Sequence, residues 1–436
     1  MSNIALIFIA AYGWLAASSL MHGAHFAFYL YELVYFLNPE KRWWTAAIPF
    51  GKYSFIAVAL LFFSYAAHAK KLNYGNNKLS EIPHFKWMVF LLISYGFVYF
   101  SAVNQTVHLD AFKEYAKLFI TIAIAYKVID SKHKYEYAIY TMIIGITYLG
   151  YEVQVLGRDE FGRVDRFGMI DAPDVNVATA AMIAALPFLI LYFWRGSKKK
   201  KLLMAIMGAI IANALVLANS RGSFVGGAIG SIYFVWEMFR SRFKVKFQRA
   251  TTILLVVLGL ISVYIVMDQS FIERMFTLTE VEDQSKSGSH RTLFWLISFD
   301  VVKEYPFGVG AFGYEFLSPH YVPAEYFDQG KSTKAVHSVW FQALTELGYI
   351  GFIFYMLTIY VTYNSFQKVK KKCVELKDID SYYLVHATLS AFIGVLAASS
   401  FINQFRTQII YWFVLFSACL LNIYILKGHK DLATQD

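Results

Sequence analysis

VATAAMIAALPFLILYFW (177–194) and LLMAIMGAIIANALVLA (202–218) are two apolar runs without a charged residue, joined by RGSKKKK (195–201). Each run is long enough to cross a hydrocarbon core of roughly 30 Å as a helix. The link between them is short and strongly basic, the mark of a loop held on the cytoplasmic side. This pattern of span, loop and span decides the fold, and it recurs along the chain.

Comparable runs lie near Ile4–Leu20, Tyr53–Ala69, Trp87–Val103, Ala111–Ile129, Tyr137–Val155, Ser223–Phe239, Thr251–Met267, Val339–Tyr363, Tyr383–Phe401 and Thr407–Leu426. The pattern predicts an all-α polytopic membrane protein with about twelve transmembrane helices. The 436 residues are 58% hydrophobic and only 16% charged, more apolar surface than a soluble domain can hide. The runs are continuous rather than alternating, which excludes a β-barrel. The net charge of +10 sits in short loops between spans and gives no sign of a nucleic-acid partner. Cys373 lies in a basic loop and Cys419 in a span, so no disulfide framework is expected. The first run lacks a basic leader and a cleavage site and reads as a retained span.

Five basic sets fall on alternate loops: Lys70, Lys71 and Lys78; Lys127, Lys132 and Lys134; Arg195 with Lys198–Lys201; Arg240, Arg242, Lys244, Lys246 and Arg249; and Lys368–Lys372. They share the cytoplasmic side and place both termini there. Gln105–Asp110, Gly157–Asn176, Asn219–Gly222, Asp268–His337 and Ile402–Arg406 then face outward. Lys41–Arg42 also falls outside, against the rule, where Trp43 and Trp44 suggest an interfacial belt. Ala24–Leu37 is short for a crossing and reads as re-entrant or interfacial, a thirteenth span being the alternative. The chain divides into an N-terminal bundle (1–268), a large loop (269–337) and C-terminal helices with a tail (338–436), integrated as one domain. Within the loop, His290–Glu304 reads as an interfacial helix with Leu293, Phe294, Ile297 and Val301 on its apolar face.

The polar residues suited to chemistry gather on the outward side. His337 opens H-S-x9-G-x-x-G at the mouth of a span; imidazole moves protons near neutral pH, and the alternative is an interfacial histidine. Gly348 and Gly351 bare one helix face for close packing. Arg221, in NSRGSFVGG (219–227), starts a span where free backbone N–H groups favour an anion; otherwise it snorkels to headgroups. Arg291, beside His290, is a second cation, and the two arginines could grip a diphosphate. In the loop Gly157–Asn176, Arg166, Asp174 and Asn176 are candidate sugar or acceptor contacts, with Asp174 equally readable as a helix cap. No metal-ligand spacing and no nucleotide-cradling loop occurs, so no cofactor or metal is expected. A donor that carries its own activation, such as a lipid diphosphate, fits such a site.

Three features taken together resemble the O-antigen ligase and polymerase superfamily. They are the RG pair opening a span at Arg221, the arginine at 291 followed by Leu293 and Phe294, and H-S-x9-G-x-x-G from His337 to Gly351. The family's R-x-x-L is displaced here, because Leu293 stands one position early. YFLNPEKRWWTAAIPF (35–50) is also similar to the start of O-glycosylation ligases associated with exosortase systems. The resemblance implies a GT-C-type glycosyltransferase in the bacterial inner membrane, with its active site facing the periplasm and its large loop before the last three helices. It would move a glycan from undecaprenyl diphosphate to a lipid, protein or glycan acceptor, without metal and with inversion. In that family arginines hold the diphosphate and the histidine positions or deprotonates the acceptor hydroxyl. A ligase, a polymerase joining lipid-linked repeats, and a transporter of lipid-linked sugar are the competing functions. The transporter is disfavoured, since no internal repeat and no midplane charge is evident.

Overall fold

The computed structural model describes residues 2–427 apart from 50, 76–77, 160–163, 165–166, 173, 242, 244, 270, 273–289, 328–329 and 331. The first helices are α1 (Asn3–Met21), α2 (His25–Leu37), α3 (Tyr53–Gly75), α4 (Pro83–Phe97), α5 (Gln105–Val128) and α6 (Lys132–Leu156). They are followed by α7 (Val175–Met182), α8 (Leu186–Arg195), α9 (Lys198–Leu217), α10 (Arg221–Arg240) and α11 (Gln248–Val266). The large loop holds α12 (Arg291–Glu304) and α13 (Gly313–Tyr321), and the chain closes with α14 (Val339–Glu375), α15 (Ile379–Ser399) and α16 (Gln408–Leu421). No β-strand occurs among the described residues.

Among the described residues, eight stretches are long and apolar enough to cross a membrane: α1, Tyr53–Lys70 of α3, α6, α7 with α8, α9, α14, α15, and α16 through Leu426. The chain is an all-α polytopic membrane protein. The other four expected spans are helices too, α4, α5, α10 and α11, but shorter or more polar. α5, for example, carries the Lys113–Asp110 and Lys117–Glu114 pairs on its surface.

The helix ends sort onto two faces. On the basic face Lys134 pairs with Asp130 at 2.6 Å, Lys132 with Asp378 at 3.6 Å and Arg195 with Asp380 at 2.6 Å. The link between α10 and α11 joins them, through Gln248 Nε2 donating to the Tyr383 hydroxyl at 2.6 Å. On the opposite face Val103 N–H donates to Val309 O at 3.0 Å, and Arg158 Nε to Leu217 O at 3.0 Å. Loops expected to share a side therefore do so.

α2 corrects the sequence reading. The Tyr29 hydroxyl, near its start, donates to Lys134 O on the basic face at 2.8 Å. Arg42, just past its end, donates to Gly168 O on the opposite face at 3.1 Å, and Trp44 Nε1 donates to the Tyr148 hydroxyl at 2.7 Å. The helix thus runs beside α6 from one face to the other and does not lie on a surface, which fits the alternative of a thirteenth span. Its length is only about 20 Å at 1.5 Å per residue. Ten of its thirteen residues are buried by neighbouring helices, so protein surrounds it and the length rule for a lipid-facing span is relaxed.

One consequence concerns the chain ends. α1 runs parallel to α3, with the Tyr12 hydroxyl donating to Tyr53 O at 3.1 Å near their starts and Ser64 donating to Ser19 O further along. α1 therefore begins on the face opposite the basic loops. The far end of the chain comes to the basic face, where Lys427 Nζ donates to Asp130 O at 2.6 Å. The described ends lie on opposite faces, against the expectation that both are cytoplasmic. Arg42 also loses its meaning as a misplaced topology signal. Its Nε donates to Leu37 O at 2.7 Å and its Nη2 to Phe36 O at 3.3 Å, so it caps the end of α2. Trp44 is in the core, while Trp43 alone stays exposed.

This topology makes a direct prediction. In a background without Cys373 and Cys419, cysteines at Asn3 and Ser332 should both react with an impermeant thiol reagent applied to intact cells. A cysteine at Lys199 should react only after the membrane is opened. Protection of Asn3 together with labelling of Ser332 would remove the thirteenth crossing.

α14 is not one helix. Gly348 interrupts it at φ +67°, and a Cβ there would stand 2.4 Å from Pro306 O and from Phe307 C. The break opens the helix so that residues 306–310 pass through it. Tyr349 N–H donates to Pro306 O at 3.0 Å, and Val309 and Gly310 N–H donate to Thr345 O and Glu346 O at 2.9 and 3.2 Å. Gly351 does serve helix packing, with the Ser94 hydroxyl of α4 3.1 Å from where its Cβ would be. The two glycines therefore have different jobs, and the shared bare face expected from their spacing is not formed.

The large loop has its own small core. Phe294, Ile297 and Val301 of α12 pack with Val309, Tyr314, Val322 and Val336, and Leu293 lies at the edge. The apolar face of α12 is thus turned onto the loop, α13 and Phe341 of α14, and not onto the membrane surface that the sequence suggested. The alternative was attractive because an isolated amphipathic helix has no other place to bury that face.

Candidate active site

Three helix starts converge on the face opposite the basic loops. Arg221 is the first residue of α10, preceded by Asn219 in the left-handed conformation at φ 56°. The first turn of α10 is stitched to that of α7: Ser223 Oγ lies 3.0 Å from Ser220 Oγ and 2.9 Å from Thr179 Oγ1, and 3.4 Å from Asn176 O. Gly222 lets the end of α15 approach, with Phe401 Cβ 3.3 Å from where its own Cβ would be.

Arg291 is the first residue of α12. Burial, and then the positive charge of nearby Arg221, pulls its guanidinium below the ordinary arginine value. Its Nε is buried without a hydrogen-bond partner among the described residues. The charge of Arg221 is thus felt at Arg291, although the two stand 70 positions apart in the chain. Guanidinium keeps its charge under almost any conditions, so two of them side by side, partly out of water, favour an anion between them.

His337 is half-buried and left-handed, at φ 52°. A side-chain-bearing residue pays on the order of 1 kcal/mol for that conformation, and here the turn is held from both sides. Val336 O accepts from Trp295 Nε1 of α12 at 3.2 Å. Ser338 N–H donates to Asn403 Oδ1, in the link between α15 and α16, at 3.2 Å. Trp295 stacks on Phe341 at 5.5 Å and lies 6.2 Å from Phe401, the residue that meets Gly222. Trp295 also sits one turn after Arg291 on α12, so this aromatic set connects the histidine turn with both arginines.

The remaining expected residues divide. Asp174 is the α7 cap: its Oδ1 accepts from Asn176 N–H at 2.7 Å. Asn176 lies beside the Arg221 turn through the Ser223 contact. His290 precedes Arg291, with its ring 4.6 Å from that of Tyr326. Arg166 lies outside the described residues.

Sequence reading missed a polar cluster behind the histidine turn. Gln342 Nε2 donates to Glu346 Oε1 at 3.0 Å, and Phe405 N–H donates to Gln342 Oε1 at 3.0 Å. Arg406 pairs with Glu346 and lies 4.2 Å from the centre of the Phe312 ring. Burial works against the Arg406 charge, but Glu346 outweighs it and the guanidinium's pKa is raised. Gln404 Nε2 donates to Val177 O at 3.0 Å, tying the same link to α7. The available signal was Gln342 and Glu346 one turn apart in an otherwise apolar run, since polar groups in a span are retained only with partners.

Among the described residues no three His, Cys, Asp or Glu side chains gather as metal ligands. What the described residues show is a buried Arg291 Nε, the charge of Arg221 acting on it, and a histidine turn anchored to the same helix by Trp295. Residues 206–356 match the family model described as O-antigen ligase. This stretch, about a third of the chain, is similar to the O-antigen ligase family. The matched stretch contains Arg221, Arg291, His337, Gly348 and Gly351, so the O-antigen ligase match and the convergent helix starts coincide. Comparison with curated proteins gives no match.

Proposed function

We propose that this protein is a GT-C-type glycan ligase of the bacterial inner membrane. It transfers an oligo- or polysaccharide from undecaprenyl diphosphate to an acceptor hydroxyl at the periplasmic face. The reading is carried by one observation: Arg291, buried and with an unpartnered Nε among the described residues, stands against the charge of Arg221. A diphosphate would bring negative charge and acceptor oxygens to the Arg291 Nε.

In this mechanism the acceptor oxygen attacks the anomeric carbon from the face opposite the phosphate. The new C–O bond forms as the bond to the diphosphate breaks, and the configuration inverts. His337 takes the hydroxyl proton, and the arginines hold the charge that grows on the leaving diphosphate.

The test is purified protein with a lipid-linked glycan extracted from the source cells' membranes. Transfer to a distinct acceptor with release of undecaprenyl diphosphate supports the ligase. A ladder of longer lipid-linked glycans makes the enzyme a polymerase, and no chemistry removes the proposal. Because no ligand cluster is present among the described residues, transfer is expected to survive exhaustive chelation. Loss on chelation with recovery on adding a divalent ion would overturn the metal-independent form.

A further inference from the structure

We infer that Asn403 is a positioning residue for His337, holding the histidine turn in place through the backbone of Ser338. The inference rests on the proposed role of His337 and adds a residue outside the matched stretch 206–356.

The argument begins with the turn. His337 is left-handed, a conformation that a free chain leaves readily. The first N–H groups of a helix have no partner within it, and Ser338 is the N-cap of α14. A serine at that position ordinarily caps with its own hydroxyl. Here it does not: Ser338 makes no side-chain cap bond, and its buried Oγ has no partner among the described residues. The turn takes its bond from elsewhere, from Asn403 Oδ1 at 3.2 Å to Ser338 N–H.

The link that carries Asn403 is itself fixed at several points. Gln404 bonds Val177 O at 3.0 Å, Phe405 N–H bonds Gln342 at 3.0 Å, and Arg406 pairs with Glu346. Next to it Gln408 N–H bonds Asp171 Oδ2 at 2.7 Å. Asn403 is thus a stiff reference point from which the turn is held. Trp295 Nε1, bonding Val336 O at 3.2 Å, holds the other side. Between these two bonds His337 has little freedom to swing away from the arginines.

A displacement of about 1 Å at a reacting group can cost on the order of 10²-fold in rate. Asn403→Leu, which keeps the size and removes the acceptor, is expected to lower kcat about tenfold or more, with the KM for lipid-linked glycan nearly unchanged. Asn403→Asp keeps an oxygen at the same place and should recover most of that loss. The experiment is a double-mutant cycle of Asn403→Leu and His337→Ala, using the extracted lipid-linked glycan and melting curves for every variant.

If Asn403 acts through His337, Asn403→Leu costs nothing further once His337 is alanine. A similar loss in both backgrounds, normal turnover of Asn403→Leu, or no recovery in Asn403→Asp would overturn the inference while leaving the histidine's role standing. Near-normal turnover of His337→Ala would instead remove the role of His337, and the positioning role with it.

Discussion

Replacing His337 by alanine is expected to slow transfer by about 10²–10⁴-fold, the range for losing a positioned proton-transfer group. Donor affinity should change little, because the diphosphate is assigned to the arginines. The structure sharpens this expectation. His337 sits in a left-handed turn held by Trp295 and Asn403, and those two bonds are made by the backbones of its neighbours Val336 and Ser338. Alanine keeps the backbone groups, so the fold should survive. Turnover, donor affinity and a melting curve for the variant make the check. A stable His337→Ala protein with near-normal turnover would leave the histidine as an interfacial side chain.

The second large effect is expected at the arginine pair. Lysine in place of Arg221 preserves the charge and most long-range steering, so simple attraction predicts tolerance. A planar guanidinium, however, holds two diphosphate oxygens at once, and an ammonium is only a point charge. In a site partly out of water that geometry counts for more, and losing one preorganised donor to the growing charge typically costs about 10²–10³-fold. Arg221→Lys is expected in that range. The sequence alone suggests a smaller effect at Arg291, as a residue on a mobile surface helix. α12 instead packs into its own core and buries the Arg291 Nε, so Arg291→Lys is now expected to be comparably impaired. Turnover and lipid-diphosphate affinity of both lysine variants measure this. If both stay near normal, the arginines anchor lipid headgroups and the donor phosphates bind elsewhere.

The fold was legible where the signal is local. Apolar length and basic loops located the helices, including α12 to within a residue of its observed start. α2 was misread because the length rule assumes lipid around the helix, and its neighbours are not visible in its own thirteen residues. Gly348 was read as one half of a packing pair, since spacing carries no record of φ. The histidine and both arginines stood out because such residues are rare outside the basic loops. Asn403 and Gln342 did not. An amide has no distinctive spacing, and its value here comes from backbone groups far away in the chain.

The contact between α10 and α15 fixes one wall of the candidate site. A Cβ on Gly226 would lie 2.6 Å from Gly394 O, and one on Gly230 would lie 2.9 Å from Ser390 O. The two backbones touch, and packed interiors do not deform continuously. Arg221 tops one of these helices, and the other runs directly into the link bearing Asn403. The two ride on a single rigid post. Trp295, on the other side of the histidine turn, is itself stacked on Phe341 of α14. The post therefore keeps Arg221 and the anchor of the histidine turn at a constant separation, whatever moves around them.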